Sequence, residues 1–253
     1  MFFTSGGSEA NNWAIKGVLF KHILQPGHII TTSIEHASVL DTVKYCVEHF
    51  GFEVTYIKAN AKGYIEVDEL NAAIRSDTQL ITMMYANNET GVIQPIVQVA
   101  ALAEQYDIPF HVDAVQIVGK RQIDLTQLNI DYLSLSAHKF YGPKGVGCLY
   151  IKDIKSISPL IHGGGQELSM RSGTENFVSL IGMAKAAQEA MQDIESWDKN
   201  NWNCKQHMIS LLERAPIEVS FNGSTDYDKA LSNTLNISVA GVRGEALATR
   251  LEV

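Results

Sequence analysis

Through the first two-thirds of the chain, short β-rich runs alternate with stretches of helical period, and this alternation constrains the fold more than any other feature. The runs are His28–Thr32, Glu53–Ile57, Leu80–Tyr85, Phe110–Asp113, Tyr132–Leu135 and Gly147–Ile151. Between them, Val39, Val43, Cys46, Val47 and Phe50 recur at helix spacing, and Gly51 closes that helix. Ile96, Val99, Ala100 and Ala103 mark a second helix, opened by Pro95. Alternating β and α predicts an α/β layered fold with a mostly parallel sheet. In such sheets ligands bind at the loops beyond the carboxyl ends of the strands.

The character of the chain changes after Gly163-Gly164-Gly165. Glu175 to about Leu212 predicts one long, mostly polar helix, Ile217–Phe221 and Leu235–Val239 predict strands, and Gly244–Leu251 predicts a helix. Residues 1–165 therefore read as a large domain. Residues 166–253 read as its end together with part of a smaller α+β domain. Composition narrows the function classes. With 45% hydrophobic and 19% charged residues the chain is neither disordered nor fibrous. A net charge of −8 argues against nucleic acid as a direct partner. The three cysteines, Cys46, Cys148 and Cys204, form no CxxC pair, which argues against a disulfide framework or a thiolate metal site and fits a reducing cytoplasm. No apolar run approaches the ~20 residues of a membrane span.

Four strand-end stretches carry candidate chemistry. In Thr4-Ser5-Gly6-Gly7-Ser8-Glu9, glycines before a helix spanning Glu9–Phe20 let backbone N–H groups approach an anion, and Ser8 can bond a phosphate oxygen; the same residues also read as an ordinary capped turn. Ala86-Asn87-Asn88-Glu89-Thr90-Gly91 offers side-chain amides to a ligand, or forms an Asx turn. Asp113 ends an apolar strand, where a carboxylate needs a partner: a cationic ring nitrogen, a helix cap or an arginine. Lys139, in Ser136-Ala137-His138-Lys139, is a nucleophile for aldehydes if its amine is desolvated, and a solvated loop lysine otherwise. Together, an anion loop, a strand-end Asp and a strand-end Lys are what pyridoxal phosphate requires.

At this point the sequence resembles the cysteine desulfurases of the class V, fold-type I aminotransferase superfamily. The matching motifs are FTSGGSEANNWAIKG, TTSIEHASVL, YANNETGVIQPI, HVDAVQIVGK, SLSAHKFYGPKGVGCLYI and HGGGQELSMRSGTENF. They run in family order and cover essentially the whole chain. The resemblance implies a seven-stranded-type, mostly parallel sheet between helices, and pyridoxal 5′-phosphate as cofactor. It implies a Schiff base at Lys139, with Asp113 on the ring nitrogen and Gln116 on the ring hydroxyl. His36 would lie on the ring face and move protons. Gly7, Ser8, Ser136 and His138 would hold the phosphate. Asn87 would bond near the ring hydroxyl or the substrate carboxylate, and Thr174 would reach the phosphate of a neighbouring subunit, hence a homodimer.

The family reaction takes L-cysteine to L-alanine. A catalytic cysteine attacks the substrate sulfur, and the resulting persulfide serves iron–sulfur assembly or tRNA thiolation through an acceptor protein. The resemblance also implies that the family's first segment, its catalytic-cysteine loop and an arginine for the substrate carboxylate lie outside residues 1–253. Cys46 and Cys148 read as buried small hydrophobes and Cys204 as a bystander, so none is expected to carry persulfide. Two other expectations stand beside the desulfurase: a non-catalytic, cofactor-binding or dimer-forming module, and a class V aminotransferase or lyase.

Overall fold

The computed structural model describes residues 1–251. Seven strands, β1 (Phe2–Thr4), β2 (His28–Thr32), β3 (Glu53–Ile57), β4 (Thr78–Met84), β5 (Phe110–Asp113), β6 (Tyr132–Ser136) and β7 (Gly147–Ile151), form one sheet. Its order is β1-β7-β6-β5-β4-β2-β3. Neighbours from β3 through β6 pair parallel, whereas β7 is antiparallel to both β6 and β1. β1 therefore runs in the same direction as β6, and its loop opens at the same end of the sheet. The inner strands β2, β5 and β6 are buried at every residue, as strands under helices on both faces must be, whereas the edge strand β3 is half exposed.

Helices cover the two faces. α1 (Gly7–Leu19) and α2 (Ala37–Phe50) pack one face through Ala10, Trp13, Val18, Val39, Val43 and Cys46. The buried Trp13 Nε1–H donates to the Ser158 carbonyl at 3.0 Å, which lets a large ring sit in the core with its polar atom satisfied. α2 ends at Gly51, whose φ of 78° is the left-handed cap that glycine takes without strain. On the other face lie α3 (Val67–Ala73), α4 (Ile96–Gln105) and α5 (Phe177–Gln192), contributing Leu70, Ile96, Val99, Ala103 and Met183 to a second core.

The predicted helix over Glu175–Leu212 is two helices. α5 ends at Gln192, Asp193 leaves helical geometry at φ −119°, ψ 16°, and α6 (Ile194–Arg214) begins with the Trp197 N–H bonding the Asp193 carbonyl at 2.8 Å. Aspartate serves both as a helix residue and as a boundary, so the break has no proline or glycine to mark it. Beyond α6, β8 (Val219–Asn222) and β9 (Asn236–Val239) form an antiparallel pair, followed by α7 (Gly244–Leu251). Among the described residues no helix is long and apolar enough to cross a membrane.

Candidate active site

The loops after β1, β2, β4, β5 and β6 all open at the carboxyl end of the sheet and surround a cavity of about 260 Å³. That is close to the lower bound of small-molecule clefts. Gly7, Ser8, His36, Asp113, Gln116, Ser136, His138 and Lys139 all line it. Two of the residues sought from sequence do not. Asn87 spends its amide on the turn: Nδ2 donates to the Ile34 carbonyl at 3.1 Å, and Oδ1 accepts from the Glu89 and Thr90 N–H groups. Its neighbour Asn88 lines the cavity instead. Thr174 lies in a separate depression with Ser5, Gly145 and Arg171. Arg171 is held there by a two-pronged bond to Glu9, 2.9 and 3.1 Å, which ties this loop to the first turn of α1. Burial alone would raise the Glu9 carboxyl, but the bonds from Arg171 and Ser5 outweigh it and hold the carboxyl below its usual range.

The anion seat follows from one close approach. At Gly7 a Cβ would stand 2.6 Å from Val115 Cγ2 and 3.5 Å from Ser136 Cβ, so only glycine lets the first turn of α1 lie against the β5 and β6 loops. The free N–H groups of that turn, with the helix dipole behind them, make the cavity beside Gly7 and Ser8 a seat for an anion. Ser136 Oγ and His138 Nδ1 lie 2.9 Å apart beside it. Burial, and then the charges of Lys139 and Lys144, hold the His138 imidazole below its ordinary pKa.

Asp113 is the buried charge of the site. Oδ1 accepts from the Val115 N–H at 3.0 Å and Oδ2 from Asn11 Nδ2 at 2.7 Å. Among the described residues no cation pairs with it, and burial raises its pKa against those two bonds and the His36 charge. Asn11 extends the chain of contacts: Nδ2 also bonds Ser38 Oγ at 2.9 Å, and Ser38 Oγ sits 2.8 Å from His36 Nδ1. Asn11 Oδ1 is buried with no partner. The His36 ring accepts the Ser38 N–H at Nδ1, 3.1 Å, so it caps α2 and faces the cavity at once. The Lys139 ammonium or amine makes no hydrogen bond or ion pair among the described residues.

These residues fit pyridoxal 5′-phosphate. A cradle that a Cβ would fill takes the phosphate, an uncompensated buried carboxylate takes the protonated ring nitrogen, and an uncommitted amine takes the aldehyde carbon. No described cluster of His, Cys, Asp or Glu is arranged to hold a metal. Nor does a cysteine line the cavity. Cys46 and Cys148 are buried, their thiols pushed up to about 11 and about 12 chiefly by burial, and Cys204 is exposed on α6. Sequence reasoning missed Asn11 and Ser38, and of the two amides in Asn87-Asn88 it gave the ligand contact to Asn87 where Asn88 lines the cavity. For Asn11 the signal was present: it is a polar residue in the buried stripe of Ala10, Trp13, Ala14 and Ile15.

Known proteins share this arrangement. The aminotransferase class-V family model matches residues 1–253. The chain is 45% identical to "Cysteine desulfurase IscS" of Clostridium botulinum over 253 residues, 100% of this chain and 64% of the relative. It is 39% identical to "Cysteine desulfurase, mitochondrial" of Arabidopsis thaliana over 252 residues, 99% of this chain and 55% of that protein. The chain thus spans less than two-thirds of the length of these relatives. A solved NifS-like protein superposes with a TM-score of 0.94 at 39% identity, covering 99% of this chain and 68% of that one. The structure of SspA in complex with cysteine superposes with a TM-score of 0.80 at 40% identity, with the same two coverages. Pyridoxal phosphate is the cofactor of this group. Sheet order, cavity and full-length family match agree: the chain belongs to the class-V aminotransferases, with the fold-type I architecture.

Proposed function

We propose that this chain is the cofactor-binding core of a cysteine desulfurase, which converts L-cysteine to L-alanine and passes the sulfur through a protein persulfide to an acceptor protein. The observation that carries it is the convergence of Lys139, Asp113 and the Gly7 cradle on one cavity. Pyridoxal phosphate, when bound, supplies a ring that withdraws electrons from the substrate α-carbon. The chain's own residues do the rest. Lys139 would hold the aldehyde carbon, and its amine would serve as a base beside the substrate. Asp113 holds a proton on the ring nitrogen; its buried position makes that pairing strong. Asn11 fixes the orientation of Asp113, and His36 holds or moves a proton at Nε2. Gly7, Ser8, Ser136 and His138 seat the phosphate, and Gln116 bonds a ring oxygen.

Thr174 lies outside the cavity of its own chain, on the loop tied to α1 by Arg171, which suits a contact made across a homodimer. The exposed Phe177, Val178 and Ile181 on the following helix supply an apolar surface for that dimer. The proposed compartment is the cytoplasm, and Asn87 is proposed to act through the loop it braces. The test is to load the chain with pyridoxal phosphate, add L-cysteine and a reductant, and measure alanine and sulfide. Alanine with sulfide supports the desulfurase. A keto acid in their place assigns the chain to transamination. Cofactor binding without either product assigns it to a cofactor-binding module without turnover.

A further inference from the structure

We propose that Lys120 is a positioning residue: it turns the amide of Gln116 so that its N–H groups face the cavity and bind a ring oxygen of the cofactor. The inference rests on the cofactor reading above and adds a residue to it. Lys120 is only 7% exposed, unusual for a lysine with no carboxylate partner among the described residues. It lies one helical turn beyond Gln116, in a turn closed by the Lys120 N–H bonding the Ile117 carbonyl at 3.0 Å. From there Nζ reaches Gln116 Oε1 at 3.1 Å.

An ammonium has three donors and no acceptor, so only the oxygen of the amide can face it. That leaves Nε2 of Gln116, which makes no hydrogen bond within the protein among the described residues, on the wall shared with Asp113 and Lys139. Burial, and then the charge of Lys139, push Lys120 down to about 8, so the donor form still prevails at neutral pH. A free glutamine presents either end of its amide to a ligand; this one presents N–H. The chemistry it selects is an acceptor oxygen, and an ionised one before a neutral hydroxyl. Pyridoxal phosphate carries such an oxygen on the ring carbon beside the aldehyde.

The test compares binding of pyridoxal phosphate and its 3-deoxy analogue, which lacks that oxygen, by absorbance titration of the whole chain. Lys120→Met is expected to weaken pyridoxal phosphate about tenfold and the analogue by less than about twofold, while Lys120→Arg retains the wild-type preference. In a Gln116→Ala background the further effect of Lys120→Met should fall below about twofold, since both act through one contact. Gln116→Glu needs no change at Lys120. It keeps a partner for the ammonium but turns the cavity-facing donor into an acceptor, and should likewise weaken pyridoxal phosphate selectively. Equal weakening of both compounds in these variants would overturn the inference, as would independent effects of Lys120 and Gln116. A wild-type chain that binds both compounds alike also refutes it while leaving the cofactor reading intact; one that binds neither refutes the cofactor reading itself.

Discussion

Glu35→Gln should abolish a loss of stability with rising pH that the wild-type chain shows. The Glu35 side chain bridges the carboxyl ends of two central strands. Its Oε1 accepts the Thr32 hydroxyl at 2.5 Å and the Met84 N–H at 3.0 Å, and Oε2 is buried with no partner. A buried carboxyl that meets only these two donors, both on one oxygen, is poorly compensated when ionised, which favours the neutral acid. Burial, reinforced by the charge of Asp113, raises its pKa from 4.5 to about 8 against the two bonds it accepts. The folded state therefore keeps a proton that the unfolded chain gives up between those two values. Stability is fully present below 4.5 and falls as pH rises toward 8, by roughly 1.4 kcal/mol per pH unit in mid-range.

Glutamine keeps the accepting oxygen and cannot ionise. It leaves an N–H pair near the Oε2 position, at a pH-independent cost of about 1–3 kcal/mol. The assay is urea unfolding of the apoprotein, wild type and Glu35→Gln side by side, from about pH 5 to pH 8. Other titrating groups cancel in the difference. The variant should gain on the wild type by roughly 3 kcal/mol across that range. Parallel pH profiles would refute the reasoning, because they would mean that Glu35 is ionised in the folded protein, or solvated. The same pair reports on the cavity, since Thr32 and Met84 end the strands whose loops carry His36 and Asn88.

His111 gives the opposite sign. Buried between Thr82 Oγ1 at 2.7 Å and Ser134 Oγ at 2.9 Å, it is held neutral, its pKa pushed by burial from 6.5 down to about 3. Its contribution is present above 6.5 and is lost as pH falls toward 3, again by roughly 1.4 kcal/mol per pH unit; His111→Gln should flatten acid unfolding measured by circular dichroism over that window. Thiol titration should find Cys204 alone reactive in the native chain, and Cys46 and Cys148 reactive only in denaturant, since both are buried and their thiols raised to about 11 and about 12. Prompt modification of Cys148 without unfolding would contradict its place on β7.

β2, β3, β5 and β7 were legible as short β-rich runs between helical stretches: β2 and β5 are buried at every residue, while β3 is a half-exposed edge strand and β7 an antiparallel one, marked by their β-branched and aromatic residues. β4 begins earlier, at Thr78, because its polar first residues still pair with β2. α3 was not legible: seven residues with one buried leucine make no stripe. The break at Asp193 was hidden because aspartate suits either side of a boundary. In the site, Gly7, Asp113 and Lys139 stood out only in combination: each alone reads as a capped turn, a capping or paired carboxylate, or a solvated loop lysine, but an anion loop, a strand-end carboxylate and a strand-end amine together match one cofactor. Asn87 and Asn88 show what a motif leaves open. In the turn after β4, Asn87 spends its amide on backbone groups while Asn88 faces the cavity, and only the turn's backbone path decides which does which. Glu35 and Lys120 were missed because a charged letter inside a motif, where another residue draws notice, reads as surface; their burial belongs to tertiary packing alone.

The central claim is that Lys139, Asp113 and the Gly7 cradle form one working cofactor site. Its most direct measurement is to add pyridoxal phosphate to the chain, reduce with borohydride and map the pyridoxyl adduct by peptide mass spectrometry. The account predicts a single adduct at Lys139, absent in Lys139→Ala and weakened in Asp113→Ala. An adduct spread over surface lysines, or none in folded protein, would contradict it.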